Sequence, residues 1–85
     1  MTTIEFEKFA MWDFLYDRLI EDKAHASKSE EEMSKIYDLG TDVKVGVEGY
    51  ENVSLDELYR MTYKDVENVY KVISAEWEKE RRNKH

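Results

Sequence analysis

All three glycines, Gly40, Gly46 and Gly49, fall between residues 40 and 49, and the chain contains no proline. These two residue types stop helices most effectively, glycine through backbone entropy and proline through its missing N–H and its clash with the preceding turn. Their confinement leaves a long stretch on either side in which nothing interrupts helical hydrogen bonding. Helices flanking a short irregular centre are therefore the expected plan.

The run Thr2-Thr3-Ile4-Glu5 opens the first helix, with Thr2 as the cap and Glu5 at the capping-box position. The helix is expected to continue to about Lys23 or Ala24. Phe9, Trp12, Tyr16 and Leu19 form one apolar stripe, and Met11, Phe14 and Leu15 widen it sideways. A surface helix shows a single stripe, so this one is expected to lie centrally or to form part of an interface. Residues 23–29 read as a loop or loosened helix end. Ser27 and Ser29 both have a glutamate three residues on, which leaves the register of the second start open. That second helix carries Met33, Ile36, Tyr37 and Leu39 and stops at Gly40. Its acidic triplet, Glu30 to Glu32, suits the positive end of the helix dipole.

In the centre, Val43, Val45 and Val47 alternate with Lys44 and Gly46, which is the period of an extended chain. Tyr50 to Val53 is the only available partner strand, and a lone hairpin is marginal in water. Either a minimal hairpin or a loop whose valines plug the helical core satisfies the pattern. Beyond it, Ser54 and Glu57 mark a short helix from Leu55 to about Met61, stapled by Val53 and Leu58. Thr62 and Asp65 then mark a long helix from Tyr63 to about Arg82, with Val66, Val69 or Tyr70, Ile73 and Trp77 as its stripe.

The sequence thus predicts a mostly α fold: a compact small helical domain of four helices, two long and two short. A Val/Gly-rich extended segment or minimal β-hairpin occupies the middle. Residues 1–85 are read as a single domain with residues 1–2 and 79–85 as frayed ends, since the last residues carry no apolar side chain. A chain of this size buries only about 60% of its unfolded surface. It has no cysteine to add a disulfide or a thiolate metal site. Ordinary packing must hold it, with or without a second subunit.

Catalytic and metal patterns are lacking in the sequence. His25 and His85 are the only histidines. Neither belongs to an HExxH pair, an EF-hand loop or a Glu-x-x-His motif, and Glu21, Asp22 and Asp38 are the carboxylates available to a site around His25. Ser27, Ser29 and Ser54 are accounted for as caps. Gly46 and Gly49 lack the spacing and the lysine of a phosphate loop. No enzyme activity and no cofactor are expected. The sequence shows neither a basic-then-apolar leader nor an apolar run near the roughly 20 residues of a membrane span, so a soluble cytoplasmic protein is expected.

The formal charge of −7 disfavours nucleic acid and anionic lipid as non-specific partners. Two tryptophans, six tyrosines and three phenylalanines exceed what one small core encloses with every polar handle paired. Some are expected at the margins as anchors for another protein, with Trp12, Tyr16, Tyr59, Tyr63 and Tyr70 as the candidates. Asp13, Asp17 and Glu21 recur every four residues and predict an acidic ridge.

The sequence points first to a small acidic protein-binding module, an adaptor, accessory, assembly or inhibitory protein acting without catalysis and able to form a homo-oligomer. One alternative is a DNA mimic that uses the ridge to block a nucleic-acid-binding protein. Another is a small helix-turn-helix-like DNA-binding regulator, with Lys64, Asn68 and Lys71 on its second helix.

Overall fold

The computed structural model describes residues 2–83 of the chain. Helix α1 (Thr3–Tyr16) begins on Thr2, whose hydroxyl accepts from the Glu5 amide at 3.1 Å while the Glu5 carboxylate accepts from the Thr2 amide at 3.4 Å. The reciprocal box expected from the sequence is therefore formed. At Asp17 the helix does not stop but widens into a π turn (Asp17–Glu21), in which the Asp22 amide reaches back to the Asp17 carbonyl. It then returns to α geometry as α2 (Asp22–Ala26).

The three pieces make one continuous rod. Leu15 and Ile20, and Leu19 and Ala24, are pairs five residues apart, and all four are buried. Bonding from i to i+5 stacks such pairs on one side, so the π turn aligns an apolar pattern that four-residue spacing would spread around the helix. The same need explains why the rod outlasts its expected end at Lys23 or Ala24: Ala24 is fully buried and must remain helical.

Ser27 ends the rod, its hydroxyl donating to the Ala24 carbonyl at 2.6 Å. Of the two possible caps for the next helix, Ser29 is the one used, accepting from the Glu32 amide at 3.2 Å. Helix α3 (Glu30–Leu39) contains no buried residue. Met33 and Ile36 are half-covered, whereas Tyr37 and Leu39 are exposed. The helix stops at Gly40, whose φ of 51° and ψ of −133° suit glycine alone, and a 3-10 turn (Gly40–Asp42) follows.

The central segment resolves the choice between hairpin and plug. Only one antiparallel bridge forms, between Lys44 and Ser54, flanked by bonds from the Val45 amide to Val53 and from the Leu55 amide to Val43. Two successive turns, closed by Val47 with Tyr50 and by Tyr50 with Val53, use the residues that a second strand would need. Gly46, at φ 65°, lets Val45 and Val47 both enter the core.

Helix α4 (Leu55–Tyr59) starts on Ser54, which accepts from the Glu57 amide at 3.1 Å and donates to its carboxylate at 3.1 Å. It ends before the expected Met61, because Arg60 and Met61 turn back onto Glu57 and Leu58. Thr62 then caps helix α5 (Tyr63–Asn83), with its hydroxyl and amide both bonded to Asp65. Helical backbone continues to Asn83, next to the expected end near Arg82. Of the expected frayed ends, Met1, Lys84 and His85 lie outside the described residues.

The rod and α5 run side by side in the same direction, Glu7 meeting Tyr63 and Phe14 meeting both Tyr70 and Trp77. Helix α4 and the Val45–Val47 plug close the remaining sides. The fold is mostly helical, with four helices, two long and two short, and no sheet among the described residues. The buried core consists of Leu15, Leu19, Ile20, Val45, Val47, Leu55, Leu58, Val66, Val69 and Ile73. All of these are aliphatic. The aromatic rings form a layer around them, as their number and polar handles require.

Candidate partner-binding face

Trp12, Tyr16 and Tyr59 come together, and Phe9 joins them. The Trp12 ring lies 5.2 Å from Tyr59 in an edge-on arrangement, 5.7 Å from Tyr16 and 6.5 Å from Phe9. Trp12 is committed to the fold: its indole N–H donates to the Leu55 carbonyl at 2.8 Å and ties the rod to the start of α4. Tyr59 remains 46% exposed, with the Lys8 ammonium 5.8 Å from its ring centre.

Tyr63 and Tyr70 lie apart from this group, on α5. The Tyr63 hydroxyl donates to Glu7 at 3.0 Å, a bond that together with partial burial and the nearby Glu7 and Glu67 charges raises the phenol above its ordinary 10.0. Tyr70 sits edge-on to Phe14. The five candidates are therefore two structural sets. Three surround the rod–α4 junction and two lie along the seam between the rod and α5.

The two most exposed large apolar side chains among the described residues are ones that sequence reasoning did not select, Ile4 at 63% and Phe6 at 62%, and Phe9 is 43% exposed. Ile4 and Phe6 precede the part of α1 that α5 covers, since Tyr63, the first residue of α5, meets α1 at Glu7. A signal was present in the spacing. Phe6 is seven residues before Asp13, so helical periodicity places it on the face of the acidic ridge and away from Leu15.

Asp13 and Asp17 continue that outer face, and neither has an ion-pair partner among the described residues. Arg18, their sequence neighbour, turns instead to Asp22, with Nε 2.5 Å from Oδ2. Glu21 leaves the ridge, accepting from the Tyr37 hydroxyl at 3.2 Å and lying 4.0 Å from His25 Nε2. The π turn produces this divergence, because it breaks the four-residue repeat between Asp17 and Glu21. The outer face of α1 thus reads Phe6 and Phe9, then Asp13, then Asp17: an apolar end followed by free carboxylates.

Lys64, Asn68 and Lys71 do not form a free basic face. Both lysines contact Glu67, at 3.2 and 3.8 Å, and Asn68 donates to the Tyr50 hydroxyl at 3.1 Å. Tyr50 in turn donates to Asp65 at 2.9 Å. Asn68 thereby helps to pin the central loop to α5. Hydrogen bonds from Thr62 and Tyr50 hold the Asp65 carboxyl below its ordinary 3.8. His25 is exposed, and no group of three or more metal-ligating side chains gathers among the described residues. No helix there is long and apolar enough to cross a membrane. Comparison with protein-family models, with curated proteins and with solved structures gives no match.

Proposed function

We propose that this chain is a small acidic protein-binding module that acts without catalysis, docking a partner against the outer face of α1. The observation that carries this function is the exposure of Phe6 and Phe9, one turn apart on that face. Large apolar side chains grouped in this way cost solubility unless a partner covers them. Tyr59 flanks the group and supplies an aromatic ring with a wet hydroxyl, the kind of residue that anchors interfaces. Asp13 and Asp17 lie beyond it on the same face, and the chain carries a formal charge of −7. The complementary partner surface is apolar at one end and basic at the other, the pattern of a basic amphipathic helix. Such a partner gains apolar burial from the phenylalanines and faster association from the field.

The test is affinity capture from nuclease-treated lysate by the native chain and by the Phe6→Ser/Phe9→Ser variant, with washes of rising salt. A protein retained by the native chain at high salt and lost by the variant supports the module. Equal recovery on both baits removes the α1 face from consideration.

Mimicry of nucleic acid is the second reading, favoured by the absence of basic partners for Asp13 and Asp17 among the described residues. It requires a longer acidic track than these two residues provide, since Glu21 is engaged by Tyr37 and His25. A DNA-binding protein captured at low salt, released as salt rises and indifferent to Phe6 and Phe9 would favour mimicry instead.

A further inference from the structure

At the far end of the rod from Phe6, the π turn, α2, residues 44–47 and the last turns of α5 surround an open cleft of ≈ 900 Å³. That volume falls in the range of small-molecule sites, about 300–1,000 Å³. Val45, Val47 and Ile73 give it an apolar floor, beside the half-exposed ring of Trp77. One wall includes a π turn, a helical irregularity that recurs at functional sites.

Charges of both signs line the cleft. Two guanidiniums flank the Trp77 ring, Arg18 at 4.8 Å and Arg81 at 4.6 Å from its centre. Arg18 is partly neutralised by Asp22, yet its Nε–H is buried and aligned on no acceptor despite the short approach of that carboxylate. Arg81 has no carboxylate within ion-pair distance among the described residues, and neither has Lys23 across the cleft. Contact with the Trp77 ring places the Arg81 guanidinium beside the cleft, and its planar fork is suited to a carboxylate. Glu76 and Glu80, one turn apart on α5, also line the cleft and also lack ion-pair partners there.

A purely anionic ligand would meet those two glutamates, and a purely cationic one would meet Lys23 and the arginines. We propose that this cleft binds a zwitterion with an apolar body, the chemistry of a free α-amino acid with a large side chain. Its carboxylate is received by Arg81 and Lys23, its ammonium by Glu76 and Glu80, and its side chain lies along Trp77 and the valine floor. A ligand of zero net charge also escapes repulsion by the acidic field of the whole molecule.

The experiment is a titration of the 15N-labelled full chain with L-phenylalanine, phenylacetate and phenethylamine, which share one apolar body and differ in charge. The Trp77 indole and Gly46 amide resonances report on the cleft. Phenylalanine is expected to shift both saturably, with a dissociation constant on the order of 1 mM for a ligand of this size. Each singly charged analogue is expected to bind at least about fivefold more weakly, because it leaves one set of charges unpaired. Arg81→Ala and the pair Glu76→Gln/Glu80→Gln, all at exposed positions, are expected to weaken phenylalanine by a similar factor, while Phe6→Ser/Phe9→Ser leaves it unchanged. The proposal is overturned by the absence of saturable shifts up to about 20 mM. It is equally overturned if either analogue matches phenylalanine, or if the cleft variants bind it as the native chain does.

Discussion

Trp12 contributes one hydrogen bond and three ring contacts, and it joins elements that are otherwise linked only by packing. Its N–H satisfies the Leu55 carbonyl in the first turn of α4, where the chain has just left the Lys44–Ser54 bridge. Trp12→Phe keeps a ring against Tyr59 but removes the one hydrogen bond from the rod to that carbonyl, which keeps its bond within α4. The expected loss is about 0.5–1.5 kcal/mol, the net contribution of one hydrogen bond. Urea denaturation followed by circular dichroism measures it, and an unchanged midpoint would show that water replaces the indole N–H without penalty.

Asp65 sets a pH dependence on the same scale. Its carboxyl is held below 3.8 by Thr62 and Tyr50, so the folded state binds the proton less readily than the unfolded chain does. The stabilisation is therefore present above about pH 4 and is lost as pH falls through the lowered native value. Glu51 acts in the same sense, through the Gly49 amide at 3.0 Å. Asp65→Asn is expected to flatten part of the acid limb of a melting-temperature profile between about pH 2 and 5. An acid limb of unchanged slope would mean that other carboxylates carry it.

At the level of elements, α3 stands apart from the rest. It contributes no buried residue, and its ties to the rod include the exposed bond from Tyr37 to Glu21. Segments with little burial open at low free energy, so the amides of α3 are expected to exchange with solvent well before those of the rod and α5. Hydrogen exchange monitored by mass spectrometry reads this directly, and uniform protection across the helices would contradict it.

Gly40 ends α3 in a backbone region closed to other residues, with open space where a Cβ would stand. Gly40→Ala is accordingly expected to cost about 1–3 kcal/mol through backbone strain alone, with no clash to relieve.

Most helix starts were legible in the sequence, because caps are local chemistry: Thr2, Ser54 and Thr62 each act where their spacing to an acid predicts, while the start of α3 was narrowed only to Ser27 or Ser29. The π turn was not legible, since nothing in Asp17 to Glu21 marks it; it arises when Leu15, Ile20, Leu19 and Ala24 are all drawn to one core. The divergence of Glu21 from Asp13 and Asp17 was hidden for the same reason, as Glu21 follows the widened turn toward α3. The aromatic anchors were visible as a class, but their division was not. Whether Trp12 or Phe6 faces water depends on where α4 and α5 lie, and single-helix periodicity does not contain that.

For the whole molecule, stability and binding draw on different side chains. The aliphatic core resists unfolding, the aromatic layer locks the helices to that core, and the outer turns of α1 contribute almost nothing to either. This separation has a measurable consequence. Leu58 is fully buried between α4 and the rest of the core, so Leu58→Ala removes apolar burial and leaves a cavity, at an expected cost of about 2–5 kcal/mol. Phe6 and Phe9 retain much of their exposure in the folded state, so replacing both with serine forfeits little burial. The double variant is expected to stay within about 1 kcal/mol of the native chain in urea, near the scatter of two surface substitutions. A native-like midpoint in that variant would make any loss of partner capture a property of the α1 face rather than of the fold. A midpoint lowered as far as that of Leu58→Ala would instead place both phenylalanines in the structural framework and withdraw them as a docking surface.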